Sequence, residues 1–209
     1  MINFFLRAKH WQVFLLILSL PILAQFLFFG LFFNDLNNLS DPAGAARAFD
    51  SYLRFIPWLI LLSMGGLLAW FWSIGQGLQA QIPEDLRPKT SFFAISIAFP
   101  LLYFFLFFQV LMPDLFLMSP DSFPLENFRW LGLIIPLHFF AMFCMFYNMY
   151  FAARSIKLAE LQRPVQAGDY LGDFFLFWFF VIGIWFIQPR VNQLAEEGPT
   201  NWQSDILDD

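Results

Sequence analysis

His138, Met142, Met145 and Met149 are spaced by four, three and four residues, with Cys144 between them. On a helix that spacing lines the imidazole and the three thioethers along one face. Soft thioether and thiol ligands with an imidazole suit Cu(I), and a His/Met pair also ligates haem iron. The same spacing is what any packed helix face displays, and methionine is an ordinary filler of irregular apolar gaps. Packing is therefore the expected role of the stripe, and no metal or other cofactor is expected. A haem held by two histidines is worse placed. His10 stands at one end of an apolar run and His138 lies in the far half of another, an axial separation on the order of 20 Å.

Gln25, Gln109 and Asn148 are the other polar groups of interest inside apolar runs. With His138 they form a possible path for a polar solute. In membrane helices such side chains serve more often as interhelical glue, contributing about 0.6 to 2 kcal/mol each. Gly75-Gln76-Gly77-Leu78-Gln79-Ala80 formally fits a dinucleotide fingerprint but ends an apolar helix with no preceding strand, so it is rejected. Walker A, H-E-x-x-H, C-x-x-C and G-x-S-x-G patterns are missing from the sequence. No Asp, Glu, Lys or Arg lies inside the first four apolar runs, where ion-coupled transporters and proton relays keep such groups. No catalytic residue is assigned, and a non-enzymatic role is expected over an enzymatic one.

The elements that position these residues follow from composition. The 209 residues are 59% hydrophobic and 13% charged, against about 25% charged in ordinary soluble domains. Four uncharged runs, about 11–33, 55–82, 91–112 and 130–153, are long enough to cross a bilayer, since roughly 20 helical residues span its ~30 Å core. A shorter fifth hydrophobic segment, 171–190, either spans or re-enters. The fold expected is an all-α integral membrane bundle with residues 1–192 as one embedded domain and 193–209 as an acidic mobile tail. The first run exceeds a signal peptide's apolar region and lacks a cleavage pattern, so it is expected to be a retained span. Seven basic residues (Arg7, Lys9, Arg87, Lys89, Arg154, Lys157, Arg163) fall on one side, against Arg47, Arg54 and Arg129 on the other. By the positive-inside rule the N-terminus is cytoplasmic. The net charge of -5 comes largely from loops and tail, leaving no basic surface for nucleic acid. Cys144 alone excludes a disulfide within the chain.

Pro21 and Pro100 stand mid-run and should kink their helices, with Ser96 placed to repair the second break locally. Pro57, near the start of the second run, leaves that helix straight. Residues Asn34 to Asp50 read as an irregular polar loop, holding the sequon Asn38-Leu39-Ser40 as a chance match. Pro113, Pro120 and Pro124 exclude a long helix in the next external loop. The fourth run should continue as helix through Arg154 to Gln162 and stop at Pro164, with a turn at Gly168 and Asp169 as N-cap of the fifth segment. Crossing by that segment, the favoured course, sets Asp173 and Arg190 near opposite surfaces. A re-entrant hairpin broken at Gly183 is the alternative, returning Arg190 to the cytoplasm. Within Leu59 to Gly77, Gly65, Ala69, Ser73 and Gly77 recur every fourth residue and leave a groove for a close helix, from a partner or from this chain.

Ala8-Lys9-His10-Trp11-Gln12-Val13-Phe14-Leu15-Leu16, Glu160-Leu161-Gln162, Asp169-Tyr170-Leu171-Gly172-Asp173-Phe174-Phe175 and Trp185-Phe186-Ile187-Gln188-Pro189-Arg190-Val191-Asn192 resemble a group of small, uncharacterised multi-span inner-membrane proteins of Gram-negative bacteria. The resemblance implies a bacterial inner-membrane location and supplies no site residues. The expected function is an accessory or scaffolding subunit in the lipid bilayer, bound to another integral membrane protein or to itself. The alternatives are a small polar-solute transporter or channel using Gln25, Gln109, His138 and Asn148, and a metal- or haem-binding membrane protein.

Overall fold

The computed structural model describes residues 2–37, 42–111 and 128–198. Among them all regular structure is helical: α1 (Ile2–Arg7), α2 (His10–Phe14), α3 (Leu20–Asn37), α4 (Pro42–Gly77), α5 (Ser91–Leu106), α6 (Phe128–Leu161), α7 (Ala167–Trp178) and α8 (Phe180–Glu197). Four stretches are long and apolar enough to cross a membrane: His10–Gly30, Arg54–Gln81, Ser91–Gln109 and Gly132–Leu161. They overlap the first four runs expected from the sequence.

Packing groups the chain into two compact units. The first holds Met1–Phe14, Leu68–Ala98 and Phe143–Asp209; the second holds Leu15–Leu67 and Phe99–Met142. In the first unit, Phe177 meets Trp70 and Phe71 with ring centroids 5.3 Å from each. Phe93 is sandwiched between Trp72 at 5.7 Å and Phe151 at 4.1 Å. Gly75 makes that stack possible, because a Cβ there would come within 2.6 Å of the Phe93 ring. In the second unit Phe28 stacks on Phe55 at 4.4 Å and Phe99 meets Phe140 edge-on at 4.6 Å.

Both mid-run prolines leave a carbonyl without its helical donor, and a side chain supplies the missing bond in each case. Pro21 cannot serve the Ile17 carbonyl; a π-helical turn, Leu15–Ser19, precedes it, and Ser63 Oγ donates to Ile17 O at 2.8 Å. Pro100 cannot serve the Ser96 carbonyl, which accepts instead from Asn148 Nδ2 at 2.9 Å. The repair expected of Ser96 therefore comes from α6. Ser96 Oγ lies 2.6 Å from Asn148 Oδ1 and 2.8 Å from Phe93 O, its single proton facing two acceptors.

Several boundaries differ from the sequence reading. α3 runs to Asn37 and α4 begins at Pro42, so most of the expected loop Asn34 to Asp50 is helical and Pro57 sits well inside α4. The sequon at Asn38 to Ser40, and Pro113, Pro120 and Pro124, lie outside the described residues. α6 does run unbroken to Leu161, ending where Gln162 adopts φ 51° ahead of Pro164, the left-handed residue that commonly closes a helix. Gln166, not Asp169, is the N-cap of α7, and Asp169 occupies the third helical position in a reciprocal capping box. α8 continues to Glu197 with Leu194 buried, several residues into the expected tail, and 199–209 lie outside the described residues.

The fifth segment is two helices. The break falls at Phe179 (φ -92°, ψ 50°), and Gly183 lies one turn into α8, where a Cβ would run into the Leu176 carbonyl. That glycine permits the close crossing of α7 and α8 and does not form the turn. Asp173 and Arg190 consequently meet, where a single crossing helix would separate them.

Candidate functional site

The folding back of α8 on α7 gathers four charges beside the end of α6. Lys157 and Glu160 share one face of α6 by their i,i+3 spacing and pair at 2.9 Å. Arg190 makes a two-pronged contact with Asp173, 2.6 and 2.9 Å, and reaches Glu160 at 2.7 Å. Lys157 closes the ring 3.7 Å from Asp173. Two cations alternate with two carboxylates, so the cluster is neutral and each carboxylate faces both cations. Asp173 is 5% exposed, and removing a cation would leave a nearly buried carboxylate undercompensated. The arrangement acts as an electrostatic clasp between α6 and the hairpin.

Beside it stands a neutral node, the fully buried amide of Gln188. Its Oε1 accepts from Trp70 Nε1 at 2.7 Å, and its Nε2 faces Phe5 O at 2.6 Å, Ala8 O at 2.9 Å and Asn192 Oδ1 at 2.8 Å. Asn192 Nδ2 adds a bond to Ala8 O at 3.1 Å. The need is local to α1. The Lys9 N–H that would continue the helix turns instead to Gln12 Oε1 at 2.8 Å, freeing the Phe5 carbonyl. Gln188 thereby caps α1 from α8 and ties both to α4. His10 and Trp185, with ring centroids 4.6 Å apart, add a further link from α2 to α8.

At the head of α7 the Gln166 N–H donates to Asp169 Oδ2 at 2.8 Å, and Arg163 holds the same carboxylate at 3.1 Å. That backbone bond, then the guanidinium, hold the Asp169 carboxyl below its ordinary range.

The residues singled out in the sequence occupy different settings. His138 is exposed and shares a hydrogen bond with Tyr103 through Nδ1 and the hydroxyl, 3.2 Å apart. Met142 is exposed, Met145 and Met149 are half-buried, and Cys144 is fully buried. Among the described residues no group of three or more His, Cys, Asp or Glu is placed to hold a metal ion. Gln25 is half-buried and Gln109 exposed, both in the second unit. Asn148 belongs to the first, its amide engaged with Ser96. Of the small-residue stripe, Ser73 is buried and donates to Ala69 O at 2.7 Å, and Gly77 lies under the Leu6 side chain. That end of the groove is filled by this chain, whereas among the described residues a methyl at Gly65 would meet only Leu101, at 3.9 Å.

Gln188, Trp70 and the Asp173/Arg190 pair were not among the candidates. A glutamine and an arginine flanking Pro189 in an otherwise apolar stretch were the available signal. Ser155 Oγ is the sole buried side-chain polar atom among the described residues without a partner. Together these features define a helical bundle with four helices able to cross a membrane, cross-linked by buried polar contacts. Comparison with protein-family models, with curated proteins and with solved structures finds no match.

Proposed function

We propose that this chain is a non-enzymatic accessory or scaffolding subunit in the bacterial inner membrane, with its N-terminus cytoplasmic, associating with another integral membrane protein or a second copy of itself. The observation that carries the reading is the use made of buried polar side chains. Ser96, Asn148, Asp173 and Gln188 are each engaged by a side chain from another helix of the chain. In an apolar interior such bonds fix helices against one another, which suits a rigid packing module. Gly65 adds support for a partner. Glycine costs about 1 kcal/mol relative to alanine in a helix, and the packing around it leaves room for a methyl, so a close-approaching outside helix gives the small residue a use.

The test is gentle purification of the tagged chain from its native membrane with mass spectrometry of its companions. A stoichiometric integral-membrane companion, or a homo-oligomer by native mass measurement, lost or weakened in Gly65→Leu, is the expected result; a chain recovered as a stable monomer without companions refutes the reading. One observation favours a transporter instead, the exposed His138 bonded to Tyr103. In reconstituted vesicles, a solute flux that His138→Ala abolishes would establish that alternative.

A further inference from the structure

We propose that α7 and α8 form a hairpin that dips into a single lipid leaflet and returns, its tip in contact with acyl chains and both its ends on the side of Arg87 and Lys89. The inference rests on the membrane reading above and concerns only where this segment goes. No charged residue lies between Asp173 and Arg190, and the break at Phe179 divides that interval into arms of about 8 Å and about 15 Å at 1.5 Å per residue. Neither arm can cross a ~30 Å core. Both ends of the hairpin are charged and clasped together at Asp173 and Arg190, whereas its tip is apolar and uncovered. Phe179, Ile182 and Phe186 are 61%, 60% and 58% exposed, a surface that water would penalise and acyl chains would not.

Contacts within the first unit set the levels. Gln162 Nε2 donates to Gln81 O at 2.8 Å, and a Cβ on Gly198 would lie 3.5 Å from Gln81 Oε1. The ends of α4, α6 and α8 are therefore together, next to the connection that carries the exposed Arg87 and Lys89. At the other end of the hairpin, Trp178 stacks on Phe146 of α6 at 4.8 Å. Phe146 stands eight residues, about 12 Å of helix, beyond Arg154, the first charge met on α6 coming from the apolar side. The tip thus penetrates roughly half a hydrocarbon core, level with Phe146. Arg87 and Lys89 at the base complement the anionic headgroups of a cytoplasmic leaflet.

The test uses the full chain with single added cysteines and a membrane-impermeant maleimide on native vesicles of both orientations. The parent chain, whose one cysteine is buried, is the blank. Glu197→Cys is expected to label from the same side as Lys89→Cys and opposite to Asn38→Cys. Labelling of Glu197→Cys with Asn38→Cys, or from neither side, overturns the hairpin. Lys89→Cys and Asn38→Cys labelling alike refutes the membrane reading itself, and the hairpin with it. A nitroxide at Phe179→Cys, with Phe186→Cys as the second site should the first misfold, is expected to collide with oxygen and to be shielded from a water-soluble nickel chelate. The reverse pattern at both sites overturns the proposal.

Discussion

Replacing Asn148 by leucine should destabilise the protein through one carbonyl, and replacing Pro100 by alanine should remove most of that cost. Leucine keeps the branching of asparagine and removes its polar atoms, so the Nδ2 bond to Ser96 O is lost. Both residues are fully buried, and the stranded carbonyl should cost about 1 to 3 kcal/mol by soluble-protein experience. Measurements in membrane helices are smaller, about 0.6 to 1.7 kcal/mol, so we take ~1.5 kcal/mol as the working value. Alanine at position 100 restores the N–H that a helix would direct at Ser96 O. In that background the carbonyl keeps a donor, and Asn148→Leu should cost little. Ser96→Ala keeps the carbonyl and removes only the hydroxyl, so its effect should not be rescued by Pro100→Ala. The assay is a four-protein cycle, parent, two singles and the double, unfolded thermally or with a denaturing detergent in micelles. A coupling of about 1 kcal/mol or more is expected; one within the ~0.3 to 0.5 kcal/mol of simple additivity would falsify the argument.

Gln188→Leu strands the Trp70 indole N–H and the Phe5 carbonyl, while Asn192 still serves Ala8 O. Two buried orphans predict a loss of about 2 to 5 kcal/mol in the same unfolding assay, and a loss under ~1 kcal/mol would show that the node is not needed. Gly183→Ala drives a methyl into the Leu176 carbonyl and should cost about 3 kcal/mol or more, whereas Gly172→Ala, with nothing within 4 Å, should be neutral or up to ~1 kcal/mol stabilising. Equal effects would discount the close crossing. Asp169 has a depressed carboxyl, so its contribution is fully present above the ordinary aspartate value near ~4 and is lost only as pH falls through the lower folded value. Hydrogen exchange at the Gln166 amide should accordingly be protected and flat at neutral pH, and the acid-induced loss of protection should be missing in Asp169→Ala.

Composition and run length made the four apolar helices legible, and helix-forming residues from Arg154 to Gln162 made the extension of α6 legible too. The fifth segment was not, for a specific reason. A spacing of 17 residues between Asp173 and Arg190 fits a crossing helix and a hairpin equally well, and the residue where the chain turns, Phe179, carries no breaker signature. Gly183 carries one, but its use is to let α8 pass the Leu176 backbone. Gln188 was hidden in the same way. Its partner carbonyls at Phe5 and Ala8 belong to a helix end some 180 residues away, and no local pattern marks a carbonyl that will lack its donor.

Prolines, in contrast, do mark such carbonyls. At Pro21 and Pro100 the carbonyl four residues before the proline takes an outside donor, Ser63 at Ile17 and Asn148 at Ser96. This changes how polar residues in an apolar helix should be weighed. Asn148 fitted a solute path as well as it fitted interhelical glue while only its type and depth were known. Once Pro100 is seen to free the Ser96 carbonyl, Asn148 has a defined bond to make, and its presence no longer needs a solute. The same reasoning absorbs Ser63 and, through the frayed end of α1, Gln188. It does not absorb the exposed His138 and Gln109. The case for a transport pathway therefore stands on those two and on Gln25, all in the second unit, and His138 is the right place to test it.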